Sequence, residues 1–114
     1  MSLRTEIHRT NDVLVISVLS PVRRGDWEDL CKFIMGLWTK GNKNIILNFV
    51  CMRRLDVVAI ASLSALFILS QCTRGPLIKI VSDSPGVWNI IGSLKLNRLF
   101  DFFQDEATAV SSFS

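Results

Sequence analysis

The stretch NIILNFVCMRRLDVVAIASLSALFIL, residues 44–69, decides how this chain folds. Asn44–Phe49 is a short β-rich run with almost no polar interruption, which predicts a strand buried on both faces. After Asp56 the period changes: Ala59, Ile60, Leu63, Leu66, Phe67 and Leu69 fall at helical spacing. Asp56 is the natural N-cap of that helix, because its carboxylate can accept free amides of the first turn. The loop between, residues 50–56, carries Arg53 and Arg54. A strand that feeds a helix through a loop is where α/β proteins place their working surface, outside the carboxyl ends of the strands. Function is expected there.

Working outward from this core, residues 3–8 read as a first strand, with Leu3 and Ile7 among polar neighbours. Asn11-Asp12 marks a hairpin turn, and residues 13–19 (VLVISVL) form a second strand antiparallel to the first. Residues 20–25 are loop, bracketed by Pro21 and Gly25 and carrying Arg23 and Arg24. Asp26 is expected to cap a helix reaching about Lys40, with Trp27, Leu30, Cys31, Ile34, Leu37 and Trp38 as its apolar stripe and Gly41 as its left-handed stop.

Beyond the central helix, an end near Cys72 is expected, followed by Arg74 and the Gly75-Pro76 stop. Leu77–Val81 is the next strand. Ser84 caps a helix that opens with Pro85 and buries Val87, Trp88, Ile90, Ile91 and Leu94. Residues 99–103 read as a last strand, and Asp105-Glu106 begin a terminal helix with Ala107, Val110 and Phe113 inward. The order ββαβαβαβα predicts an α/β fold: one domain over residues 1–114, with a mixed, mostly parallel sheet and four flanking helices. Right-handed crossovers gather loops 20–25, 50–56 and 82–84 at one end of the sheet.

The totals suit one globular domain of 114 residues, with 49% hydrophobic and 20% charged residues. The apolar run from Val57 to Leu69 covers 13 residues, short of the ~20 that a membrane-spanning helix needs. The first residues lack the apolar core of a signal peptide, so a cytoplasmic location is expected. Cys31, Cys51 and Cys72 are odd in number, far apart and set among apolar residues, so they are expected as reduced core residues, neither disulfides nor metal ligands. A net charge of +3 and a pI near 9.0 are too mild to argue for nucleic-acid binding.

Familiar catalytic constellations are missing. His8 is the sole histidine, which excludes a histidine-based triad or a histidine-rich metal site, and no glycine-rich phosphate loop is present. Asp56 and Asp83 lie at strand ends, but acid–base work by paired carboxylates needs a separation that sequence does not define. Arg23, Arg24, Arg53 and Arg54 sit in two loops at the same sheet end. Four guanidinium groups there suit phosphate or carboxylate, and an acidic partner protein fits better than DNA.

From residue 13 to residue 113 the pattern resembles the STAS domain of bacterial anti-sigma factor antagonists and of sulfate-transporter tails. The apolar strand IILNF carries Asn48 where that family has Asp, LDVVAIASL aligns Asp56 with the motif aspartate, and IIGSLKLNRLFDFFQDEATAVSSF is similar to the family's close. The resemblance implies a non-catalytic module in transcription regulation and signalling, bound to an anti-sigma factor or kinase-type protein. In the antagonists the residue after that aspartate is a serine phosphorylated by the partner kinase; here it is Val57, and the family glycine is Ala59. Valine has no hydroxyl, so the switch is absent at this position. Ser62 and Ser64 are the substitute phosphosites, disfavoured because the helix should be packed there. The expected partner surface is Arg23, Arg24, Arg53, Arg54, Asp56, Val57 and Val58, with no cofactor and no metal. The alternative is a module that holds a nucleotide or other small ligand at the same sheet end. The strand edge at residues 3–8 would permit a homodimer.

Overall fold

The structure, a computed structural model, describes residues 3–72 and 77–113. Strands β1 (Thr5–Thr10) and β2 (Val13–Val18) form an antiparallel hairpin with Thr10 opposite Val13. Its two-residue turn demands a positive φ, which Asn11 adopts at 56°. Then follow α1 (Asp26–Thr39), β3 (Asn44–Phe49), α2 (Val57–Cys72), β4 (Leu77–Val81), α3 (Pro85–Leu94), a 3-10 turn at Leu96–Arg98, β5 (Asp101–Phe103) and α4 (Glu106–Ser111). The strands lie in chain order β1-β2-β3-β4-β5, and every pairing after the hairpin is parallel.

Chain order explains the layers. Each crossover advances one strand in the same direction, so α1, α2 and α3 stack on one face of the sheet. There Trp27, Leu30 and Ile34 of α1, Ala59, Leu63 and Leu66 of α2, and Val87 and Ile91 of α3 pack on Ile16, Val18, Ile45, Leu47, Phe49, Ile78 and Ile80. Each large aliphatic chain buried this way contributes about 1.5–3 kcal/mol. The alternate residues Val13, Val15, Ile46 and Val81 point to the opposite face, where α4 covers them through Ala109. Both faces of β3 are therefore buried, as its unbroken apolar run requires.

Several expectations are corrected. The first strand is Thr5–Thr10, not residues 3–8; Leu3 is buried just before it, while Ile7, at the open edge of the sheet, is 44% exposed. Asp26 is not the cap of α1. Gly25 holds that position, and the buried Asp26 carboxylate reaches back to accept the Arg23 amide at 2.9 Å. Leu69, Leu94 and Cys72 are exposed, because their helices turn them away from the sheet, and the terminal helix buries Ala109 in place of Ala107. Cys31 and Cys51 are half-buried, and burial pushes the Cys31 thiol pKa up. The last strand starts at Asp101, since a left-handed Lys95 and the 3-10 turn take up the preceding residues. The Arg74, Gly75 and Pro76 stop lies outside the described residues. Gly41 does end α1, with φ at 100° and its amide donating to the Trp38 carbonyl at 2.9 Å.

Candidate functional site

The carboxyl ends of the strands carry the loops that the sequence singles out. Asp56 caps α2 as expected: its Oδ1 accepts the Ala59 amide at 2.8 Å and its carbonyl accepts the Ile60 amide at 3.0 Å. The cap turns Val57, the first residue of α2, outward, where it is 81% exposed. Val58 behaves differently. It is half-buried and packs against the core, so it offers less surface than its neighbour. Ser62 and Ser64 are half-buried too.

The β3–α2 loop forms a ridge tied down on both sides. Towards β2, Cys51 Sγ donates to the Leu19 carbonyl at 2.9 Å and the Val50 amide donates to the Val18 carbonyl at 3.2 Å. Towards β4, Ser84 Oγ donates to the Arg53 carbonyl at 2.8 Å. Gly86, in the first turn of α3, makes this approach possible: a Cβ there would overlap the Arg53 carbonyl oxygen. Loop and helix start are therefore held at backbone contact. Sequence reasoning took Ser84 only as a cap of α3. It does accept the Val87 amide, at a long 3.5 Å, and the glycine one residue after Pro85, in a helix start, was the available sign of the second role.

On the β2 side of the ridge lies an open cavity of about 350 Å³ lined by Pro21, Val22, Trp27, Cys51, Met52, Arg53, Arg54, Asp56 and Ala59. Trp27, one of its lining residues, packs on Phe49 at 5.8 Å between ring centroids. Arg53 and Arg54 reach this cavity; Arg23 and Arg24 are exposed on the facing loop, outside its lining. On the β4 side a second hollow of about 340 Å³ is lined by Val50, Met52, Arg53, Asp83, Ser84 and Pro85. Asp56 lines the first hollow and Asp83 the second.

Asn48 faces α4. Its Nδ2 donates to Glu106 Oε1 at 3.4 Å, and Glu106 Oε2 lies 3.0 Å from His8 Nε2. An aspartate at position 48 would set two carboxylates together; asparagine supplies a donor instead. His8 is thereby placed: it joins the edge strand to the terminal helix. Among the described residues, no group of three or more His, Cys, Asp or Glu side chains is arranged to hold a metal ion, and no helix is long and apolar enough to cross a membrane.

No protein-family description and no curated protein matches the sequence. Solved structures do. The chain is similar to a candidate anti-sigma factor antagonist of Thermotoga maritima, with a TM-score of 0.80, 13% identity and 95% of this chain and 92% of that one covered. An anti-sigma factor antagonist from Mycobacterium paratuberculosis matches with a TM-score of 0.78, 16% identity and coverage of 97% and 93%. The Bacillus cell fate determinant SpoIIAA in its phosphorylated form matches with a TM-score of 0.66, 15% identity and coverage of 97% and 100%. The chain has the fold of the anti-sigma factor antagonists, the STAS fold that its sequence resembles.

Proposed function

We propose that this chain is a non-catalytic regulatory module that docks a signalling protein, of the anti-sigma factor or kinase type, on the carboxyl end of its sheet. The contact surface is the ridge at Arg53, Arg54, Asp56 and Val57, with Arg23 and Arg24 beside it. Such a module would act in the cytoplasm and need neither cofactor nor nucleic acid. The observation that carries this reading is Val57: a large aliphatic side chain, 81% exposed, stands at the first residue of a capped helix, directly after the loop that carries Arg53 and Arg54. A partner that covers this side chain removes its apolar surface from water, which favours docking at this position. A phosphoserine at that position would add nearly two negative charges to the surface; valine leaves the surface permanently in one state, so the docking is constitutive.

The test is affinity capture from the source organism with identification by mass spectrometry, comparing wild type with Val57→Asp. A main partner recovered by wild type and lost with the aspartate supports the reading. A partner that binds both equally places the interface elsewhere.

A second reading has one observation in its favour: the cavity of about 350 Å³ beside Arg53 and Arg54 is large enough for a small anionic ligand. A thermal-shift screen with nucleotides decides it. A rise of several degrees that disappears in the Arg53→Ala, Arg54→Ala variant would replace the interaction-only reading.

A further inference from the structure

Charge is sorted along the row of strand ends. The β2–α1 loop carries Arg23 and Arg24, the β3–α2 loop Arg53 and Arg54, the β4–α3 loop Asp83, and the β5–α4 junction Asp105 and Glu106. All are exposed except Glu106, whose side chain is 33% exposed. On the basic side Asp26 is buried against the Arg23 amide and Glu28 pairs with Lys32, so Asp56 and Asp29 are the exposed countercharges to the four arginines. On the acidic side His8 lies against Glu106. Between the two halves, Val50 is 53% exposed and Met52 half-buried.

We propose that this end of the sheet is self-complementary and that a second copy of the chain docks on it. A two-fold axis lying in the interface, between the β3–α2 and β4–α3 loops, reverses the row of strands. Arg53 and Arg54 of one copy then face Asp83 of the other, and Arg23 and Arg24 face Asp105 and Glu106. Two-fold symmetry repeats both pairings. Val50 and Met52 meet their own counterparts near the axis, giving the apolar centre and charged rim of a specific interface. The available area suffices: one end of a body measuring 33 × 30 × 27 Å is comparable to the ~800 Å² that each partner contributes to a standard interface. The dimer buries the surface assigned above to a signalling partner, so self-association and partner capture compete. It does not depend on that assignment.

Sedimentation velocity from micromolar to millimolar chain, in low and high salt, tests the proposal. Wild type is expected as a dimer whose affinity falls at least tenfold in high salt. The Arg53→Glu, Arg54→Glu variant and the Asp83→Arg variant are each expected to be monomeric where wild type is dimeric, with unchanged circular dichroism. Mixing the two restores opposite charges at both seams and is expected to give a heterodimer. A wild type that stays monomeric at millimolar concentration in low salt overturns the proposal. So does a dimer that survives each charge reversal, which would place the contact elsewhere, such as the β1 edge. A wild type that stays monomeric yet captures its partner sinks only this proposal; a wild type that dimerises but captures no partner sinks only the other.

Discussion

Ser84 Oγ donates a hydrogen bond to the Arg53 carbonyl at 2.8 Å, so the start of α3 holds the arginine loop in place across 31 residues of chain. Removing the hydroxyl in Ser84→Ala should cost about 1–2 kcal/mol, through a weak helix cap and a lost tertiary bond. Gly86→Ala should be harsher, about 1–3 kcal/mol, because the new methyl has the Arg53 carbonyl oxygen in its way. Urea denaturation checks both. Both variants should also weaken partner capture beyond their effect on stability, since the loop must shift.

Asp56 and Val57 separate structure from contact. Asp56→Ala removes the acceptor of the Ala59 amide and should cost about 1 kcal/mol, while Asp56→Asn, which keeps an acceptor, should cost less. Val57→Ser should leave stability within about 0.5 kcal/mol, as befits an exposed position. Thermal or urea melts read both comparisons.

These two residues also show what was legible in the sequence. The change from a continuous apolar run to helical spacing at Asp56 is local, and local signals located β3, the cap and α2. Asp26 looked identical as a cap, yet its carboxylate serves the Arg23 amide, because the preceding loop curls back onto the helix start. Periodicity also placed Leu69, Leu94 and Ala107 inward, although a helix lying on a twisted sheet buries a narrower stripe than its apolar residues suggest. The roles of Ser84, Gly86 and Cys51 depend on contacts with distant strands and loops, which no local pattern encodes.

Lys79 anchors the terminal helix. Its ammonium, on a side chain only 14% exposed, donates to Ser112 Oγ at 2.7 Å and to the Ser112 carbonyl at 3.2 Å, and stands 4.2 Å from the centre of the Phe113 ring. A cation at the carbonyl end of a helix is favourable. Lys79→Met keeps the bulk and loses the cation, and should destabilise by about 1–2 kcal/mol, with faster amide exchange in α4 than in α2.

Asp105 predicts an acid limit for the same helix. The Thr108 backbone amide, and next the Thr108 side chain, hold the Asp105 carboxyl below its ordinary pKa. A carboxylate with a depressed folded-state pKa stabilises above its unfolded value, and that stabilisation is lost as pH falls through the folded value. α4 should therefore loosen below about pH 4. Asp105→Asn, which still caps but does not titrate, should remove that part of the pH dependence of α4 amide exchange.

The central claim is that the β3–α2 ridge is where the partner binds. Hydrogen–deuterium exchange of the chain, alone and with its captured partner, tests this most directly. The account predicts slowed exchange at residues 50–58 and 21–25, with little change along β1. Protection confined to β1, or unchanged exchange across residues 50–58, would contradict it.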